Sequence, residues 1–219
     1  MATHAPAADV AKWQRGTRLW IDHAIAGEDD LQWMEPAEVL VLWNVRLPDG
    51  LLARLPNLRG LSVRGGSRQD LSIVRGCERL LCLDVNQVRG LHDLDEVPRL
   101  RSLEFLSLFG QPRVERVPSL APLEALEHVQ LGSMKGLQSL DGLMAAPRLR
   151  TLEFSRAVSV GPDDVDALAE HPTLEAFDWF WEDVPQRVAK PVMARLEHLG
   201  RPPAVSPLDW VAQRLRRTP

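Results

Sequence analysis

Tyrosine is absent from the 219 residues, lysine is confined to Lys12, Lys135 and Lys190, and cysteine occurs only as Cys77 and Cys82. Two cysteines are too few for a disulfide framework or a zinc knuckle, so both are expected as free thiols. The excess of arginine over lysine is the mark of a GC-rich, bacterial genome and points to no site. No run approaches the roughly 20 apolar residues that span a bilayer. The first sixteen residues lack both a basic start and an apolar stretch of signal-peptide length, which sets the expectation of a cytoplasmic protein without a membrane partner. A net charge of −4 argues against nucleic acid, because neutralising phosphates takes a basic face. Only the tail has a basic surplus, with Arg201, Arg214, Arg216 and Arg217 against Asp209.

Catalytic constellations are missing too. The six histidines are scattered, and none falls in an HExxH, HxH or GxSxG setting. Gly65-Gly66 reads as a turn, with no GK[ST] behind it to cradle a phosphate. Asp163, Asp164 and Asp166 lack the glycine and distal glutamate of a calcium loop and stand where a helix begins, so capping explains them. His128 is left as the single acid/base candidate, without a nucleophile or a pocket. No cofactor, metal or catalytic residue is expected.

What the chain does contain is a repeated phrase: Leu58xxLeu61xVal63, Leu80xxLeu83xVal85, Leu100xxLeu103xPhe105, Leu126xxVal129xLeu131, Leu149xxLeu152xPhe154 and Leu174xxPhe177xTrp179. The first leucines stand 22, 20, 26, 23 and 25 residues apart. A unit of that length cannot bury its own apolar face and must stack on its neighbours. The last two apolar positions of each unit alternate with a polar residue, the period of a half-buried strand. Upstream, spacings such as Leu91xxLeu94xxVal97 suit a short helical or 3₁₀ segment. Pro56, Pro98, Pro147 and Pro172 each stand two residues before a first leucine and mark the corner into the strand. A weaker first unit reads Leu40xxTrp43xVal45.

In these residues the chain resembles the leucine-rich repeat family in its short form GLxxLxxLPxLxxLxL, seen in Gly90 to Phe105 and Gly136 to Phe154. The resemblance implies an α/β solenoid: a curved right-handed horseshoe with parallel strands on the concave face and short helical or 3₁₀ segments on the convex face. Where the family often buries an asparagine three residues past the last strand leucine, this chain has Gly66, Val88, Leu108, Met134, Ala157 and Glu182. No tryptophan occurs between residues 44 and 178, and the seven present cluster at the two ends, suited to plugging them. The division expected is therefore a helical N-terminal cap over 1–37, six to seven repeats over 38–182, and a helical C-terminal cap with a basic tail over 183–219. Within the first of these, Val10, Trp13, Thr17, Trp20, Ile21, Ala24 and Ile25 recur at helical spacing.

Function is expected on the concave face, because a stacked-repeat surface binds macromolecules and offers no natural pocket. The residues alternating with the buried strand positions run Asn44, Ser62, Asp84, Glu104, Gln130, Glu153 and Asp178, an acidic row with no basic member. Leu106, Phe180 and Trp181 border it as apolar anchors of the kind found at interfaces. Asp84, Glu104, Leu106, Gln130, Glu153, Asp178, Phe180 and Trp181 are the candidate partner-binding residues. The expectation is a non-enzymatic scaffold for a protein with a basic surface: an immunity or antagonist protein occluding a toxin or enzyme, or an adaptor with a constitutive partner.

Overall fold

The repeats build one nine-stranded sheet, in a computed structural model that describes residues 4–14 and 16–217. Its strands are β2 (Lys12–Gln14), β3 (Arg18–Asp22), β5 (Val39–Trp43), β6 (Gly60–Arg64), β7 (Cys82–Asn86), β8 (Phe105–Phe109), β9 (His128–Met134), β10 (Thr151–Val158) and β11 (Ala176–Phe180). They lie in chain order across the sheet, parallel from β3 to β11, and β2 adds antiparallel to β3. A separate two-stranded parallel pair joins β1 (Ala5–Pro6) to β4 (Ala24–Ile25). Returning segments on the other layer are 3₁₀ turns at Leu52–Arg54, Ser72–Val74 and Val97–Arg99, followed by α3 (Asp141–Met144) and α4 (Pro162–Ala169). One strand and one short returning segment per unit is a leucine-rich-repeat-like arrangement.

Every strand enters in the same register, so side chains stack into rows about 4.8 Å apart. Two rows point into the core: Leu40, Leu61, Leu83, Leu106, Val129 and Leu152 form one, and Leu42, Val63, Val85, Leu108, Leu131 and Phe154 the next. The chain turns through a left-handed residue directly after a strand at His23, Asn44, Gly65, Gln87 and Gly110, and near the end of β9 and β10 at Ser133 and Arg156. Five of these are not glycine, and each left-handed L residue costs roughly 1–2 kcal/mol. The turn offsets that cost by extending the backbone ladder: the N–H groups of Asn44, Gln87 and Gly110 donate to the carbonyls of Arg64, Phe109 and Gly132 on the next strand, at 2.7–2.8 Å.

Two units run in a different frame from the expected one. In the third of the six phrases, Cys82 pairs with Phe105 and Val85 with Leu108, so the phrase is Leu103xxLeu106xLeu108 and Phe105 points outward. In the weak unit ahead of the six, the strand positions facing the core are Leu40 and Leu42; Trp43 is exposed, and Val45 enters the core only after the strand has ended. Leucine at 100, 103, 106 and 108 satisfies both frames, and Pro98 imitates the punctuation of the other units. Spacing decides between them: starting at Leu103 makes the steps from Leu80 and to Leu126 equal at 23 residues. In this frame the residue three places past the last strand leucine is Gln111 and not Leu108. Gln111 is fully buried there, its Nε2 donating to the carbonyls of Phe109 at 3.0 Å and Val85 at 3.5 Å.

The N-terminal end is a correction of kind. Among the described residues, 8–34 do not form the expected cap helix; the β2–β3 hairpin extends the sheet, and the helical elements there are short: α1 (Ala7–Val10), a 3₁₀ turn at Glu28–Asp30 and α2 (Leu31–Met34). Leu19 and Ile21 alternate with Arg18, Trp20 and Asp22, and that period-2 pattern outweighs the helical spacing of the tryptophans. At the other end α5 (Gln186–Arg195) packs Ala189 and Val192 into the core beside β11. Trp179 is buried in the last strand, its Nε1 donating to the Arg156 carbonyl at 2.8 Å.

Candidate functional site

The outer sheet face, expected to be an open acidic concavity, is half covered by the chain itself. Residues 201–206 carry the chain, without helix or strand, to α6 (Pro207–Arg216). This helix lies across β5 to β8. Ser206 caps it, accepting the Asp209 N–H at 3.2 Å, and Pro207 stands at its first position. Leu208 and Val211 close over Val39, Val41, Cys82 and Phe105, a buried cluster on the face opposite the main core. Gly60 on β6 lets the helix approach, because a Cβ there would lie 2.9 Å from Val211 Cγ1. Trp210 rests on Phe105 and His128, with ring centroids 5.3 and 5.5 Å away.

Polar contacts fix the helix at its edges. Arg214 grips Glu104 through Nε at 2.8 Å and Nη2 at 3.1 Å. Arg18 donates to the Leu208 carbonyl at 2.7 Å, Gln130 to the Val205 carbonyl at 3.4 Å, and the Cys82 thiol to the Pro207 carbonyl at 3.4 Å. The basic tail therefore has a structural use within the fold.

Each expected binding residue can now be placed. Asp84 is only 3% exposed and is held by the Ser62 hydroxyl at 2.6 Å and Arg64 at 3.3 Å. Glu104 is not in the central row, where Ser107 stands instead; it precedes β8 and is taken by Arg214. Leu106 is 1% exposed and belongs to the core, the frame shift having turned it inward. Trp181 packs partly buried against the core, while Phe180, one residue earlier, is 58% exposed. Gln130, Glu153 and Asp178 do share a row across β9, β10 and β11, half-buried, and the first two line a hollow with Val205, Trp210 and Gln213 at the edge of α6. Burial, and then the neighbouring Asp178, push the Glu153 carboxyl above its ordinary range.

His128 gains no partner that would make it an acid/base centre. Its Nδ1 meets the Thr151 hydroxyl at 2.9 Å, and burial under the aromatic cluster lowers its pKa. Among the described residues no group of three or more His, Cys, Asp or Glu could hold a metal ion. Asp164 behaves as a cap, accepting the Gly161 N–H at 2.8 Å and the Leu140 N–H at 2.9 Å. A groove at the strand ends, lined by Trp43, Arg46, Arg64, Arg68 and Arg89, is basic, but Asp84 and Asp49 offset two of its guanidinium groups. Among the described residues no helix is long and apolar enough to cross a membrane.

The chain matches no family model and no curated protein. Among solved structures, an internalin from Listeria monocytogenes aligns over 85% of this chain and 73% of its own at 15% identity, with a TM-score of 0.31. At that score the alignment carries no weight, and the leucine-rich-repeat-like arrangement rests on the sheet's own register.

Proposed function

We propose that this chain is a non-enzymatic protein-binding scaffold that recognises a basic protein through the uncovered half of its outer sheet face. The observation that carries the reading is the adjacency of Glu153 and Asp178 across β10 and β11, with exposed Phe180 at the end of the last strand. Burial and the neighbouring Asp178 disfavour the charged form of Glu153, and a cationic side chain set beside the two carboxylates relieves that repulsion. A negative strip speeds encounter with a basic partner, while an aromatic anchor slows dissociation. A repeat surface with such a patch suits an immunity or antagonist protein that occludes a toxin or enzyme, and an adaptor role would use the same surface. Buried free thiols at Cys77 and Cys82 suit the cytoplasm, where thiols stay reduced.

The test is capture of the partner from the source cells, followed by surface plasmon resonance at several salt concentrations. Charge reversal at Glu153 and Asp178 should lower the association rate and flatten its salt dependence. Phe180→Ala should raise the dissociation rate, at a cost of roughly 2 kcal/mol or more if the side chain is a hot spot. Unchanged kinetics in both folded variants would assign binding to another surface.

A further inference from the structure

The seat of α6 is built so that the helix can leave it. Its apolar cluster is separated from the main core by the sheet, so undocking breaks no contact within that core. The connection is a six-residue segment with Pro202 and Pro203, and the remaining ties are polar and partly exposed. A ten-residue helix is marginal in water on its own, so α6 owes its helicity to the seat. The seat has a readable specificity. It takes apolar residues at i, i+3 and i+7, here Leu208, Val211 and Leu215, and a cation at i+6, here Arg214 on Glu104 with Glu127 adding attraction.

We propose that the seat on β5 to β8 is a binding site for an amphipathic basic helix of a protein partner, with α6 as its resident occupant, displaced when the partner's helix docks. This deepens the protein-binding reading above and rests on it for the partner. Helix-in-groove recognition of this kind is read from i, i+3 and i+7 anchors. A tethered occupant competes at a high effective concentration, so a partner gains from a second foothold. The open row beginning at Gln130, whose amide bonds Val205 at the edge of the covered half, supplies one.

The two cysteines report the opening. Cys82 lies under α6, and Cys77 is buried on the other side of the sheet, in the main core. Thiol labelling of the full chain should modify Cys82 before Cys77, because the seat opens without global unfolding. Val211→Asp, and separately Gly60→Val, should raise the Cys82 rate at least about tenfold and leave Cys77 protected, since each makes the seated helix untenable. A synthetic peptide of residues 205–217, added at millimolar concentration, should restore Cys82 protection in Val211→Asp, whose seat is intact. Equal labelling of the two cysteines in both variants, whether slow or fast, would overturn the proposal, as would a peptide that gives no protection. None of these measurements needs the partner or the open row, so their failure is distinguishable from failure of the binding reading.

Discussion

On strands β5 to β8 the outer sheet face carries Val39, Val41, Cys82 and Phe105, beside buried Ser62, Asp84 and Ser107, and lies beneath α6; on β9 to β11, past His128 under Trp210, it carries half-buried Gln130, Glu153 and Asp178 and has no helix seated on it. The ladder is continuous through both halves, and its register shifts only after Ser155, toward the end of β10. What differs is one outward row, where Val39, Cys82 and Phe105 under α6 give way to His128 and Thr151; the next row is mostly polar in both halves, with Ser62, Asp84 and Ser107 in one and Gln130, Glu153 and Asp178 in the other. An apolar outward row must be removed from water, and here a segment of the same chain removes it. A polar outward row needs no cover and leaves surface for another molecule. The same solenoid thus serves as an intramolecular groove at one end and an exposed face at the other.

The largest expected effect tests the frame on which that comparison stands. Leu106→Ala and Leu152→Ala should each lower stability by about 2–5 kcal/mol in denaturant melts, as for buried leucines. A loss near zero for Leu106 would return Phe105 to the core and Leu106 to the surface. Next, Val211→Ala should cost about 1.5 kcal/mol for two methyl groups removed from the seat. Should it cost nothing, α6 would not be seated in solution.

A smaller effect concerns pH. Burial holds the folded-state pKa of His128 below its ordinary value of 6.5. Above that value the ring is neutral in both states and the full stability is present. As pH falls through it, the unfolded chain takes up a proton that the folded chain resists, so stability declines until the folded ring also protonates. His128→Gln should flatten this part of the profile, measured by melts between neutral and mildly acid pH. The smallest effect belongs to the open half. Glu153→Gln should change stability by no more than about 0.5 kcal/mol, with the sign favouring the variant because it ends the repulsion with Asp178. A large loss would mean that Glu153 is tied into the fold and unavailable to a partner.

The repeat, the sequential parallel strands and the short returning segments were legible because interior leucines at fixed spacing leave one way to stack. The frame of the third unit was not, since Leu100, Leu103 and Leu106 fit either way and only the evenness of the spacing decides. The cover was signalled but unread. β5 runs Val-Leu-Val-Leu-Trp and β8 Phe-Leu-Ser-Leu-Phe, lacking the alternation of Thr-Leu-Glu-Phe-Ser in β10, and near-continuous apolar strands are those buried on both faces. The N-terminal hairpin was hidden because tryptophans at helical spacing coincide with a short alternating strand. Of the candidate row, Gln130, Glu153 and Asp178 kept their places; Glu104 and Leu106 were displaced by the frame, and Asp84 was taken up by Ser62 and Arg64.

Hydroxyl-radical footprinting with mass spectrometry on the isolated chain measures the central claim, that one half of the face is covered and the other open. Phe180, at 58% exposure, should oxidise readily, while Phe105, at 2%, should stay protected for as long as α6 is seated. Oxidation of Phe105 at a rate matching Phe180, in a chain that is otherwise folded, would contradict the account.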